Sequence, residues 1–324
     1  MNRNIFRRSV LSALLVCGFA TSTAHAAYPE RPVTVVVSFA PGGMTDTVTR
    51  WLTTELSKKF DQTFVVENRP GAAGQVGTEY VARQKNDGYT LLVSATGHAI
   101  GPAVNPKVKF DPVEDFEAIG ILARTPNLIV VNPEVPAKTI PEFLDWAKKQ
   151  TAIPYSTAGF GGSTHLGGEW FKLITGIPME HIPYKGAAPG TQAVMAGEVQ
   201  VGVQDASSVA SFLESGHLRA IGLASATPSK QFPDLKTFAE SGVPGLDVYT
   251  WLGFYAPAGT DPEIVEKLNQ ATNEIMNSPE MVARLSQSNS DALGPMTPAQ
   301  AREFVQNEVT KWRKVVEDAN IQVE

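Results

Sequence analysis

Cysteine is almost missing from this chain: Cys17 is the only one in 324 residues. A framework of disulfides is therefore excluded, and the fold depends on burial alone. Histidine is scarce too. Beyond the first 26 residues only His98, His165, His181 and His217 occur, none three or four apart, so no helix carries a zinc-binding histidine pair. Basic charge is in short supply, with 27 Lys and Arg against 33 Asp and Glu. That balance argues against nucleic acid, which is gripped by clustered Lys and Arg. No apolar run reaches the ~20 residues of a membrane-spanning helix. The chain also lacks a G-x-S-x-G elbow and a G-x-x-x-x-G-K-[ST] loop.

What is present begins with a leader. Arg3, Arg7 and Arg8 precede the short apolar stretch Val10 to Ala20, and Ala24-His25-Ala26 supplies small residues for cleavage. The pattern predicts secretion to the periplasm with cleavage after Ala26. Cys17 follows Val16 where a lipoprotein site wants a small residue, so no lipid anchor is expected. Removing 26 of 324 residues leaves 298, enough for two cores. With the three leader arginines gone, 27 basic residues become 24 against 33 acidic ones, a net charge of −9. An anion would then be held by local dipoles, since no broad positive field exists.

Short β-branched runs alternate with helical patterns. Val33 to Val37 reads as a buried parallel strand, and Val48, Trp51, Leu52, Leu56 and Phe60 then recur at helical spacing. Thr63 to Glu67, Tyr89 to Ser94, Leu128 to Asn132, Ile153 to Ser156, Met179 to Pro183, Val199 to Gln204 and Leu218 to Leu223 continue the strands. Helices fall between them, as at Phe143 to Lys149 and across Leu166, Trp170 and Ile174. The alternation predicts an α/β chain with doubly wound sheets. The last third holds helices without strands. Thr260-Asp261-Pro262-Glu263 and Thr297-Pro298-Ala299-Gln300 read as capped starts, and Val305, Val309, Trp312 and Val316 as one apolar stripe. Such helices must pack on the first sheet, which places crossings near Ile121–Asn127 and Asp247–Phe254. The expected parts are lobe 1 over 27–124 and 248–324, and lobe 2 over 125–247.

Two loops stand where open α/β sheets bind ligands. Pro41-Gly42-Gly43-Met44-Thr45-Asp46 joins the first strand to the first helix, offering free N–H groups and a positive dipole end. Alone it is either an anion site or a tight turn capped by Thr45 or Asp46. Ser156 to His165 repeats the device before another helix. It fails the dinucleotide fingerprint because Thr164 stands in place of the third glycine. Two such loops in two lobes make a clamp. The hydroxyls of Ser163 and Thr164 are expected to add donors for an anion. Ser163, His165 and Asp205 show no spacing that marks a catalytic triad.

Taken together, several stretches resemble the extracytoplasmic receptors of tripartite tricarboxylate transporters, the Bug or TctC family. They are Tyr28-Pro29-Glu30-Arg31-Pro32, Phe39 to Asp46, Glu67 to Gly74, Asp87 to Leu92, Ile182 to Gly186 and Trp251 to Thr260. The resemblance implies a two-lobe Venus-flytrap fold, a small carboxylate ligand, a membrane permease as partner, no cofactor and no catalysis. It also implies a site formed by Phe39, Gly42, Gly43, Met44, Thr45 and Asp46 with Ala95 and His98 on one side. Ala158, Gly162, Ser163, Thr164, His165, Lys185, Gln204 and Asp205 face them. The chain departs from the family at Asn105 to Pro112, which is shorter and more basic, and at Gln200, where an Asp is frequent. His98, Phe39, Phe160 and Trp251 either widen the cleft for an aromatic carboxylate or pack the core. Two other readings stay open: a receptor that reports to a membrane sensor, and an α/β hydrolase.

Overall fold

The computed structural model describes residues 28–321. The basic leader, Cys17 and the cleavage site after Ala26 lie outside them. Nine strands and ten helices follow in this range. In the first part come β1 (Val33–Val37), α1 (Met44–Phe60), β2 (Phe64–Asn68), α2 (Gln75–Ala82), β3 (Thr90–Ala95), α3 (Gly97–Val104) and β4 (Phe116–Val131). In the second part come α4 (Ile140–Ala147), β5 (Ile153–Thr157), α5 (Ser163–Thr175), β6 (Met179–Pro183), α6 (Ala187–Met195), β7 (Val201–Asp205), α7 (Ala206–Glu214) and β8 (Arg219–Leu223). The chain closes with β9 (Tyr249–Pro257), α8 (Pro262–Met276), α9 (Pro279–Gln287) and α10 (Pro298–Asp318).

All the strands join one curled sheet in the order β2-β1-β3-β9-β4-β7-β5-β6, with β8 also on β4. Parallel pairs β1–β2 and β1–β3 form one half, and parallel pairs β5–β6 and β5–β7 the other. The long strand β4 joins them. Its first part pairs with β9 as far as Pro126, and Asn127 to Val131 pair with β7 and β8. Proline has no N–H for a ladder, so it suits the point where β4 changes partners.

Valine dominates β1 because both of its faces are covered. Val33, Val35, Val36 and Val37 are fully buried, each contributing about 1.5–3 kcal/mol of burial. One layer sets α1 and α8 against β1, β3 and β9 through Val48, Leu52, Leu56, Val265 and Leu268. The opposite layer holds α3, α4, α5 and α10, and a third cluster joins α6 and α7 to β4 and β8. Helices on both faces make each half doubly wound, as the sequence predicts.

Three differences from the sequence reading have physical reasons. β4 is 16 residues long, starting at Phe116 rather than Leu128, since its bulges and Pro126 hide the strand pattern. β9 is a nine-residue strand in a segment read only as a crossing. Finally, α10 packs on more than the first half. Trp312 meets Trp170 of α5 edge to face at 6.2 Å, and Glu308 accepts hydrogen bonds from the indoles of Trp251 (2.7 Å) and Trp312 (2.9 Å). The last helix thus touches both halves.

Candidate functional site

Register brings the two sets of loops together. Ala95 at the end of β3 pairs with Leu252, which pairs with Ala123 of β4. Asp205 at the end of β7 pairs with Asn127 of the same strand. Strand ends from both halves therefore converge on the middle of β4. Contacts bear this out: Ser163 Oγ lies 2.5 Å from Thr250 Oγ1, and a β-carbon on Gly161 would touch Val104 of α3 at 3.1 Å.

The helices that start at these strand ends share a property. α1, α2, α3, α5, α6 and α7 have no side-chain hydrogen bond at their N-caps. By contrast α4, α8, α9 and α10 are capped by Thr139, Asp261, Ser278 and Thr297. The N-caps of α1 and α5 are Gly43 and Gly162, both extended with φ of −81° and −98°. Ser, Thr, Asp or Asn fits that conformation and stabilises a helix. A β-carbon on either glycine would meet nothing within 4 Å. Open space stands beside both N-caps, and no described group accepts from the N–H groups of Met44, Thr45, Ser163 or Thr164. The glycines are not needed for backbone geometry. They leave the donors uncovered.

In the first loop Asp46 is a brace. Its buried carboxylate accepts from Gly42 N–H (3.0 Å), Arg50 Nε (3.0 Å) and Asn68 Nδ2 (2.9 Å). Burial alone would raise its pKa, but Arg50, the Gly42 N–H and Asn68 outweigh that and hold it below 3.8. Asn68 also donates to the Phe39 carbonyl at 3.0 Å, tying β2 to the loop. Gly42 takes a φ of 90°, the left-handed turn that glycine allows. Met44 is half-buried and Thr45 buried in the first turn, where the main-chain N–H groups are the available donors.

In the second loop the brace is uncharged. Thr164 Oγ1 accepts from Ala158 N–H (3.3 Å), and His165 Nδ1 accepts from Gly161 N–H (3.2 Å). His165 stacks on His181 at 3.9 Å and meets the tilted ring of Phe160 at 4.7 Å. His181 Nε2 lies 2.7 Å from Thr157 Oγ1. Burial first, then His181 and Lys172, pushes His165 down to about 3; burial lowers His181 to about 4. Both rings are neutral at neutral pH, and Nδ1 of His165 is an acceptor. The Ala158 carbonyl takes the Gly186 N–H at 3.1 Å, bringing in the start of α6 beside exposed Lys185.

Other expected residues sit elsewhere in this frame. Gln204 is fully buried, its Nε2 3.0 Å from Ser156 Oγ and its Oε1 unpartnered. Ala95 is buried, one residue before the Thr96 hydroxyl that accepts from Trp251 N–H at 3.0 Å. His98 belongs to the core: it stacks on Tyr255 at 4.3 Å and meets Phe110 and Phe116, with Nε2 2.8 Å from the Pro112 carbonyl. Burial lowers it to about 4, against the Pro112 carbonyl and Asp111. Trp251 is buried on α10. Of the four aromatic candidates, only Phe39 and Phe160 stand on the loops.

Sequence reasoning missed Arg50, Asn68, Asn127, His181 and Thr250. Arg50 carried a signal, since it lies four residues after Asp46 on one helix face. Thr250 carried none, because only the folded β9 brings it to Ser163 and Asp205.

With this geometry in hand, the profile of the "Tripartite tricarboxylate transporter family receptor" matches residues 48–321. The chain belongs to that family. Family members of this kind are solute-binding proteins of the periplasm, not enzymes. The protein BugT of Bordetella pertussis is 32% identical over 308 residues, covering 94% of each chain. Among solved structures, R. palustris Rpa4515 with adipate aligns with a TM-score of 0.86 at 32% identity, covering 92% of this chain and all of its own. The periplasmic binding protein BugD aligns with a TM-score of 0.83, also at 32% identity and over the same shares. The receptor fold of two lobes is thus shared by proteins about one-third identical to this one.

Proposed function

We propose that this receptor holds a small carboxylate between its two lobes and delivers it to the permease of a tripartite tricarboxylate-type transporter. Lobe 1 comprises 27–124 and 248–324, lobe 2 comprises 125–247, and the leader is cleaved after Ala26. The observation that carries the reading is the pair of glycine N-caps, Gly43 and Gly162, with open space before both helices. Each helix start contributes ~0.3–1 kcal/mol toward an anion when exposed and up to ~2 when partly buried. Hydrogen bonds to a charged group add about 1.5–3 kcal/mol apiece. A few together reach about −8 kcal/mol, a micromolar dissociation constant. The ligand's carboxylates meet the N–H groups of Gly43, Met44 and Thr45 on one side and of Ser163 and Thr164 on the other. Asp46, His165 and Asn68 hold those loops in shape. The adipate found with Rpa4515 supports the ligand class.

A thermal-shift screen of mono-, di- and tricarboxylates, aliphatic and aromatic, tests this. A true ligand at 100 times its dissociation constant stabilises by ~2.7 kcal/mol. If no carboxylate shifts the transition while a cationic or neutral solute does, the reading is wrong.

A further inference from the structure

Thr250 has one proton to give and three polar neighbours. Its Oγ1 is 2.5 Å from Ser163 Oγ, 3.2 Å from Asn127 Nδ2 and in short contact with Asp205 Oδ1. Burial raises the Asp205 pKa, against the hydrogen bonds from Thr250 and Asn127 that favour its charged form; in that form the carboxylate only accepts, so the Thr250 proton goes to Asp205. Asn127 Nδ2 donates to Thr250 and, at 2.7 Å, to Asp205. Ser163 must then donate to Thr250. Its own proton is spent, and Ser163 Oγ presents lone pairs to the space before α5. This reverses the expectation that the Ser163 hydroxyl supplies a donor to an anion.

More acceptors lie beside it. No described residue donates to the second oxygen of Asp205, and no described cation pairs with it. Asn127 is fully buried, and its Oδ1 has no partner. The α5 start therefore combines main-chain donors, suited to a carboxylate, with unfilled acceptors on Ser163 and on the second oxygen of Asp205. A ligand with carboxylates alone meets lone pairs there.

We propose that Ser163, Asp205 and Thr250 make the receptor select acids that carry a hydrogen-bond donor, a hydroxyl or an ammonium, on the carbon next to the carboxylate held by α5. This rests on the carboxylate reading above and narrows it. The general basis is that a site built to bond a substrate's O–H or N–H rejects the analogue lacking it, because the site's own polar groups are left unpaired. Ser163 is a specificity-determining residue in this account. Thr250 is a positioning residue that sets the direction of the Ser163 proton.

The test is calorimetry on the mature protein with matched acids: succinate against malate and aspartate, glutarate against 2-hydroxyglutarate and glutamate, adipate against 2-hydroxyadipate. In whichever length binds, a donor-bearing acid should bind at least tenfold more tightly than the plain one. Thr250→Val removes the group that takes the Ser163 proton. Ser163 is then free to donate, the plain diacid should gain, and the preference should fall toward unity. Thr250→Ser keeps the relay and should keep the preference. Should Thr250→Val not fold, Ser163→Ala removes the acceptor directly and should reduce the preference severalfold. Equal affinities in the parent overturn this inference and leave the carboxylate reading standing. Binding by no acid at all overturns both.

Discussion

The two loops that face each other across β4 begin their helices alike and are braced differently. Both place an extended glycine at the N-cap with open space before it. The first is braced by charge: Asp46 ties Gly42 to Arg50 and Asn68. The second is braced by neutral groups: His165, His181, Thr157 and Thr164 hold Gly161 and Ala158. The contrast shows that an uncovered helix start needs a rigid frame, and that the frame can be built from either chemistry. It also makes the loops sensitive to acid in different pH windows.

That difference can be broken by pH. His165 and His181 have folded values near 3 and 4, below the ordinary 6.5. Below about 6.5 the unfolded chain takes up protons that the folded rings refuse, so stability falls as pH drops toward those folded values. At about pH 4.5, roughly two units below 6.5, His165 alone costs roughly 3 kcal/mol. Asp46 has a folded value below 3.8, so its contribution is present above 3.8 and lost only as pH falls through the lower folded value. Hydrogen exchange at about pH 4.5 should therefore show the second loop losing protection while the first keeps it. Equal loss in both would remove the distinction.

A smaller effect is expected from Asp46→Ala. Three donors lose their acceptor, but Arg50 is half exposed and regains water, which discounts its share. The expected loss is about 2 kcal/mol in denaturant unfolding. Binding should weaken as the first loop loosens. An unchanged unfolding midpoint would mean that the charged brace is decorative.

Much of this was legible before folding. Val33–Val37 comes out as a strand at the residues read, because an uninterrupted β-branched run bounded by turns leaves little choice, and Met179–Pro183 does so as well. Asp261 and Thr297 cap α8 and α10 as their sequences imply. The Gly-rich loops were legible as helix starts, but not the fact that the N-cap glycines Gly43 and Gly162 have ordinary negative φ and are there for access. For His98 the sequence left two readings, cleft or core, and folding puts its ring among Tyr255, Phe110 and Phe116. The relay through Thr250 was illegible in principle. It joins residues 163, 205 and 250, and which atom donates depends on all three at once.

The central claim is that Gly43 and Gly162 leave helix donors open for a ligand, and capping them from within tests it most directly. Gly43→Asp and Gly162→Asp fit the extended backbone and the empty space at both positions. Each new carboxylate should cap its own helix, stabilising the protein by about 0.5 kcal/mol. The same carboxylate occupies the place of the ligand's, so calorimetry with the acid found in the screen should show affinity falling at least a hundredfold in each variant. The account predicts a protein that melts slightly higher and no longer binds. Variants that melt higher and bind the acid as tightly as the parent would contradict it.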